Sequence, residues 1–405
     1  MKDSGRVVVT GLGVVSSVGI GREDFWDSIC RGKSGISQIR SFDTSNLKCH
    51  RGGEVKNFKA GDFIDRRKVK YLGKTSQFAL SASILAFEDA GLKKKQIQGE
   101  NTGVFIGTTM GGKPMEDLLF TWVREKQNTI DKIRLSQVLA NNISNNIGIY
   151  FGINGMNYLF PTACAAGNYA IGYGYDMIRT GKLERAVTGG ADAFFYIGFI
   201  GFQSLYAMAP QKCQPFDKNR KGMMLGEGAG ILILERLDVA KKRNARIYAE
   251  IKGYGLSCDA YHPTAPEIFG VTKTMENALE YSGISYKDID YISAHGTGTL
   301  INDKIECRAI KNILKERYKK VPVSSLKSML GHPMGAASAL EAIACCLTVK
   351  HGIIPPTINY KTPDPECDID CVPNHPRRQP VKIALNNGFG FGGNNSSLVI
   401  GRFDN

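Results

Sequence analysis

Short runs rich in Val and Ile alternate with longer stretches of helical period along almost all of the 405 residues. "RVVVTGLGVV" (6–15) reads as a strand entering a glycine turn. "SQFALSASILAFEDAG" (76–91) has the period of an amphipathic helix closed by a glycine. "TGVFIGTTMGG" (102–112) is a strand and a turn, Ala165 to Thr180 a helix, and "RAVTGGADA" (185–193) a strand running into a tight turn. Residues 226–257 hold two strand-like runs around a basic stretch. The alternation then starts again, with "MENALEYSG" helical, "IDYISAHGTGT" strand and loop, "NDKIECRAIKNIL" helical and "VPVSSLK" a strand. "GAASALEAIACCLTVKHG" follows as a long apolar helix, and "VKIALNNGFGFGGNNSSLVIG" as two strands around a glycine loop. Such alternation builds sheets covered by helices, the α/β class. The helices at 165–180 and 335–352 are Ala- and Gly-rich over much of their surface, which predicts burial between other layers. No linker or low-complexity segment divides the chain. Two interlocked halves, 1–240 and 241–405, are expected rather than two separate domains.

Composition narrows the function. Hydrophobic residues make up 42% and charged residues 22%, the balance of a globular protein with ample core. No apolar run is long enough to span a bilayer, and no membrane role is expected. The apolar stretch near the start is broken by Thr10, Gly11 and Gly13, so it lacks the layout of a secretory signal. A cytoplasmic protein is expected, and its ten cysteines read as reduced thiols. The net charge of +14, with "DRRKVK" (65–70), "KKRNAR" (241–246) and "KERYKK" (315–320), favours an acidic partner. Nucleic acid is not expected as that partner, because zinc-finger spacing and RNA-binding aromatic signatures are absent.

Some motifs carry little. Gly11 and Gly13 hint at a dinucleotide loop, but Ser16 stands at the last glycine position and the next helical stretch waits until "EDFWDSICRG". Cys367, Cys371 and His375 lack an evident fourth zinc ligand. Cys345 and Cys346 lie in the apolar run "AIACCLTV" and read as core.

Four loop sites remain: Cys164, His295 in "AHGTGT", Lys327 with His332 in "SLKSMLGHPMGAASA", and Phe391 in "GFGFGGNN". All lie at strand ends, where α/β folds gather their sites. Most free cysteines are buried and inert. Cys164 differs in standing where a helix begins, where unpaired N–H groups and the helix dipole favour thiolate and lower its pKa. The two histidines sit beside glycines in turns, where a neutral imidazole can donate to a developing oxyanion. These residues define an α/β enzyme with a candidate cysteine nucleophile and leave several reactions open.

The motifs "TACAAG", "AHGTGT" followed by "DKIE", "LKSMLGHPMGAA" and "GFGFGG", in that order, resemble the β-ketoacyl-acyl-carrier-protein synthases, elongating condensing enzymes of the thiolase superfamily. The likeness covers essentially the whole chain. It looks in particular like the type II synthase of bacterial fatty acid synthesis and the ketosynthase subunits of type II polyketide systems. The resemblance implies a thiolase-like αβαβα fold of five layers, made of two similar halves and working as a dimer. It implies an acyltransferase in which Cys164 holds the acyl chain as a thioester, with the Cys164 and Phe391 N–H groups as oxyanion hole. His295 and His332 would hold the malonyl thioester and promote its decarboxylation. Lys327 would orient and charge-balance the site with Glu341, and Asp303 would support it. Thr297 and Thr299 would bind the phosphopantetheine arm, Phe391 would gate the acyl pocket, Phe389 would line it, and Met110 would limit its depth. No cofactor or metal is implied beyond the phosphopantetheine of the acyl carrier protein. Arg66, Arg67, Lys68 and Lys70 are candidates for docking that acidic carrier.

The chain also departs from the family. Met208 stands in "LYAMAP" where an arginine is often found, and Pro333 and Met334 stand where bulky aliphatics are common. These changes bear on chain length and saturation more than on the reaction. A rival within the family is the catalytic subunit of a polyketide or polyene synthase, paired as a heterodimer with a chain-length-factor homologue. A thiolase acting on coenzyme A is disfavoured because "GFGFGG" lacks the second cysteine of such enzymes. The presence of Cys164, His295, Lys327 and His332 together argues against a non-catalytic chain-length subunit.

Overall fold

The computed structural model describes residues 5–112, 122–123 and 132–404. Its main elements fall into two series. The first is β1 (Val7–Ser16), α1 (Lys74–Asp89), β2 (Thr102–Gly107), α2 (Asn142–Phe151), β3 (Asn157–Phe160), α3 (Ala166–Arg179), β4 (Arg185–Asp192) and β5 (Gly228–Arg236). The second is β6 (Ala249–Cys258), α4 (Ile268–Ser282), β7 (Tyr291–Ser293), α5 (Leu300–Leu314), β8 (Val323–Ser324), α6 (Ala337–His351), β9 (Ile383–Phe389) and β10 (Asn394–Gly401).

The two series have one topology. The first sheet runs β3-β2-β4-β5-β1 and the second β8-β7-β9-β10-β6. In each, the first three strands of that order pair in parallel and the remaining pairs are antiparallel. The sheets join edge to edge where Val7–Val9 of β1 pairs antiparallel with Ala249–Ile251 of β6. β1 is buried along its whole length, as a strand covered on both faces must be.

α1 and α2 cover the outer face of the first sheet, and α4 that of the second, with α5 packed on α4 and sharing an apolar cluster with β7, β8 and β9. α3 and α6 pack on each other and touch both sheets, so the layers are αβαβα. Close packing explains why these two helices are poor in bulky residues. A Cβ on Gly167 of α3 would lie 2.7 Å from the backbone nitrogen of Ala339 in α6. Polar contacts fasten this middle layer: Asn168 donates to the Asn386 carbonyl, and Asn386 donates back to the Asn168 side chain. The strand-like runs of 226–257 are β5 and β6, with a short helix, Leu237–Lys242, between them that the sequence did not announce. No helix among the described residues is long and apolar enough to cross a membrane.

Candidate active site

The strand β3 ends at Phe160, and four residues later the chain presents Cys164. The turn is sharp. Ala163 sits at φ 52, in the left-handed region that residues with a side chain seldom adopt, and a 3-10 turn, Ala163–Ala165, then leads into α3. The sulfur is thereby set at the N-terminal end of a helix whose first N–H groups lack intrahelical partners. Cys164 is only 6% exposed, yet it lines a cavity of about 300 Å³.

Two loops of the second series close around it. His332 Nε2 lies 3.0 Å from Cys164 Sγ. His295 stands beside it, with ring centroids 5.4 Å apart and planes nearly perpendicular. Lys327, fully buried at the start of a short helix, places Nζ 2.5 Å from Glu341 Oε1 on α6. The second Glu341 oxygen, and Nδ1 of both histidines, have no hydrogen-bond partner among the described residues.

Backbone contacts hold these loops. The His295 and Gly296 N–H groups donate to the two oxygens of buried Glu306 at 2.8 and 2.7 Å. Ser325 Oγ donates to the Gly296 carbonyl. His332 is tied through its own backbone, its N–H donating to Met224 and its carbonyl accepting from Gly226. Asp192, at the end of β4, accepts from Thr109, Met110 and Gly335 N–H groups and from the Thr108 hydroxyl.

Burial sets the charges. It pushes the Cys164 thiol up to about 12, against the pull of the Lys327 ammonium. This corrects the lowered value expected from the helix start: removing the sulfur from water outweighs the local dipoles. Burial, then the Lys327 charge, holds both imidazoles well below 6.5. Burial also raises Glu341 and Glu306 to about 7, opposed by Lys327 and by the N–H donors respectively. The site at rest is therefore a neutral thiol facing neutral imidazoles. Its S–H can donate to His332, and both rings can receive or offer a proton toward a ligand in the cavity.

Thr297, Thr299, Phe389 and Phe391 also line the cavity. The two threonine hydroxyls are 2.9 Å apart, and the Phe389 ring lies 5.6 Å from that of His295. Phe391 packs on Phe202, ring centroids 5.7 Å apart. Behind it Gly392 and Gly393 turn at φ 81 and 78, and Gly392 N–H donates to Pro263. Other expected residues stand apart from the cavity. Met110 packs against Gly198, where an added Cβ would lie 2.6 Å from its methyl. Asp303 accepts from the Phe216 and Gly298 N–H groups and faces buried Arg220. Arg66, Arg67, Lys68 and Lys70 lie on or just after a short exposed helix, Arg66–Val69, with Arg67 paired to Asp65.

Glu306, Asp192 and Phe202 were not singled out from the sequence. Glu306 is the last letter of "DKIE", one helical turn after Asp303. Asp192 carries a weak signal, an acid ending a run of small and apolar residues. Phe202 carries none.

The family descriptions "Beta-ketoacyl synthase, N-terminal domain" and "Beta-ketoacyl synthase, C-terminal domain" match residues 4–240 and 248–361. The chain is 40% identical over 408 residues to 3-oxoacyl-[acyl-carrier-protein] synthase 2 of Synechocystis sp., with 98% of each chain covered. It is 37% identical over 413 residues to the same-named enzyme of Staphylococcus aureus, with 100% of each covered. Among solved structures, the ishigamide ketosynthase/chain length factor matches with TM-score 0.96 and 42% identity, covering 98% of this chain and 99% of that one. A type II polyketide ketosynthase in complex with its acyl-carrier protein matches with TM-score 0.89 and 35% identity, at the same coverage.

Proposed function

The chain belongs to the β-ketoacyl synthase family, and from that premise we propose how its residues carry out the reaction. The activity is that of a 3-oxoacyl-[acyl-carrier-protein] synthase, which lengthens an acyl chain by two carbons through decarboxylative condensation. In the first step Cys164 Sγ attacks the thioester of an acyl carrier protein. The S–H proton goes to His332 Nε2 and then to the departing carrier thiol, leaving the acyl group on Cys164. Charge that builds on the carbonyl oxygen is met by the Cys164 and Phe391 N–H groups. A malonyl thioester then enters, its carbonyl oxygen lying between His295 and His332. Loss of carbon dioxide leaves an enolate whose oxygen accepts from the N–H of each neutral imidazole, His332 now carrying its proton on Nε2, a change of tautomer that its unpartnered Nδ1 permits. Its carbon attacks the acyl-Cys164 carbonyl, the new carbon–carbon bond forms, and the sulfur leaves as a thiolate that takes one proton from solvent, the proton this decarboxylative condensation consumes. Lys327 and Glu341 balance charge behind the histidines, and Thr297 and Thr299 receive the phosphopantetheine arm. No cofactor beyond that arm is required in this scheme.

The single observation that supports this most is the 3.0 Å approach of His332 Nε2 to Cys164 Sγ at the end of a cavity that also holds His295. Mass spectrometry after incubation with a panel of acyl-carrier proteins tests it. Adducts on Cys164 are expected and would name the primer; folded, reduced protein that takes no acyl group from any donor would refute the nucleophile.

A second reading is supported by the likeness to the ishigamide ketosynthase/chain length factor: a polyketide-type catalytic subunit working with a homologous partner. Among the described residues β3 leaves one edge of the first sheet open, with Tyr158 49% exposed, and an open edge can pair with a second chain. Co-purification with a homologue lacking the cysteine favours the heterodimer, and a stable homodimer the fatty acid reading. The acidic carrier would dock on Arg66, Arg67, Lys68 and Lys70. The ten cysteines are unpaired, which suits the reducing cytoplasm.

A further inference from the structure

Cys164, His295 and His332 also satisfy the requirements of a different chemistry. One ligand atom from each, a thiol sulfur and two imidazole nitrogens, lie within 4.8 Å of one another. We propose that the unacylated site binds one thiophilic d10 cation, Zn2+ or its analogue Cd2+, and that this ion and the acyl group exclude each other. The ion acts as a reversible block, not as a cofactor of the condensation. Its binding stands on geometry alone; its effect on acylation rests on the function proposed above.

A thiolate and two neutral imidazoles are a ligand set that zinc takes readily. Zn–S and Zn–N bonds of about 2.3 and 2.0 Å in a tetrahedron set the ligand atoms roughly 3.3–3.5 Å apart. Sγ and His332 Nε2 are now 3.0 Å apart, so a small widening would admit the ion. The ligands come from three separate loops, and two of these are fixed by backbone bonds to Glu306, Met224 and Gly226. The cavity of about 300 Å³ leaves the fourth position open to water. Both Nδ1 atoms lack a partner among the described residues, and an imidazole without that support binds metal more weakly. This places the site below a structural zinc site in affinity, as a reversible block requires. Among the described residues no other trio of His, Cys, Asp or Glu gathers so closely, and Cys367, Cys371 and His375 do not.

Binding replaces the S–H bond by a metal–sulfur bond and releases one proton; nothing is oxidised or reduced. An acylated sulfur has no proton to give up and no thiolate to offer, hence the exclusion.

Reduced, metal-free enzyme in a metal-buffered solution is titrated with Zn2+ and with Cd2+. One tightly bound ion per chain, one proton released and a cadmium–thiolate absorption band are expected. Prior alkylation of Cys164 with iodoacetamide, carried out in a Cys258→Ser background that removes the exposed thiol, should abolish all three. His332→Asn should weaken binding by more than the roughly 10–100-fold that loss of an outer partner costs. A Cys258→Ser, His262→Ala variant, which removes the exposed thiol beside Gly392 and an exposed imidazole that lines the cavity, should bind as before. A band or stoichiometry that survives alkylation, or absence of any bound ion at low micromolar free Zn2+, overturns the proposal. Metal-free enzyme that never acylates would count against the proposed function and would leave the metal titration readable.

Discussion

Two turns of this molecule share a backbone and differ in every group that matters. After β3 the chain passes Ala163 at φ 52 into the 3-10 turn Ala163–Ala165 and then α3. After β8 it reaches Met334, also at φ 52, then the 3-10 turn Met334–Ala336 and α6. Setting Met334 on Ala163 brings Gly335 opposite Cys164, His332 opposite Pro161, and Glu341 opposite Ala170. One turn carries Cys164, the proposed nucleophile, alone. The other carries a histidine and, one helix onward, the partner of Lys327, but no cysteine. A duplicated fold points two helix starts at one place; the chemistry comes from filling them differently.

The largest effect should come from the first turn. Cys164→Ala is expected to reduce condensation to background, read as loss of the β-ketoacyl product. Malonyl decarboxylation should persist, because the histidines belong to the other half. A variant that loses both activities together would break the division.

The histidines should then separate. Of these two rings, among the described residues, His332 is the one hydrogen-bonded to the sulfur. His295→Ala is expected to slow malonyl decarboxylation by about 10²–10³-fold while leaving Cys164 acylation near normal, the usual loss for one oxyanion donor. His332→Ala should slow both steps. Equal behaviour of the two variants in single-turnover acylation would contradict the geometry.

The alternation of strands and helices was legible in the sequence because period and glycine turns are local signals. The duplication was not. β2-β4-β5 and β7-β9-β10 are the same arrangement, but ladders built from main-chain groups accept many apolar residues and need no shared letters. Cys164 was legible as a cysteine at a helix start, and the loop of Phe391 that lines its cavity as a glycine cluster. Glu306 and Asp192 were hidden for a reason of distance: Asp192 collects N–H groups from residues 83 and 143 positions away. The direction of the Cys164 shift was misread for the same reason. A helix start is visible in the sequence; the second half that buries it is not.

A moderate effect should come from the empty turn. A Cβ on Gly335 would stand 2.6 Å from the backbone of Thr108, and the Gly335 N–H donates to Asp192. Gly335→Ala is expected to cost about 1–3 kcal/mol, the usual penalty of overfilling a packed core. A lowered urea midpoint with unchanged slope would show it. No change would mean that the second turn has room for a side chain and that its emptiness is not enforced by packing.

A smaller effect lies on the surface of the first half. Charge reversal at Arg67 and Lys68 should raise the KM for carrier-bound substrate a few-fold and make it less salt-sensitive, with kcat unchanged. Exposed charges contribute little individually and mostly steer encounter. An unchanged KM would remove this helix from the docking surface.

The smallest expected effect is an absence, and it asks whether both turns are neutral at rest. Burial raises a thiol and lowers an imidazole, so it removes charge from both. The imidazole 15N shifts of His295 and His332 should therefore stay constant from about pH 8 to about pH 6, while an unperturbed histidine titrates near 6.5. The sign in stability follows. Between their depressed values and 6.5 the unfolded chain takes up protons that these rings refuse, so their contribution is full above 6.5 and falls as pH falls below it. Glu341 and Glu306, raised to about 7, act oppositely: the folded form holds protons that the unfolded chain has released, so their contribution falls as pH rises toward 7. The two trends oppose each other in a melting curve, which is why the ring signals are the better measurement. On the same grounds the rate of Cys164 alkylation should keep rising beyond about pH 9, the thiol standing near 12. A rate that levels off below about pH 8, with a histidine signal titrating between about 6 and 7, would mean a thiolate–imidazolium pair at rest. The helix start would then outweigh burial, and the two turns would differ in charge as well as in content.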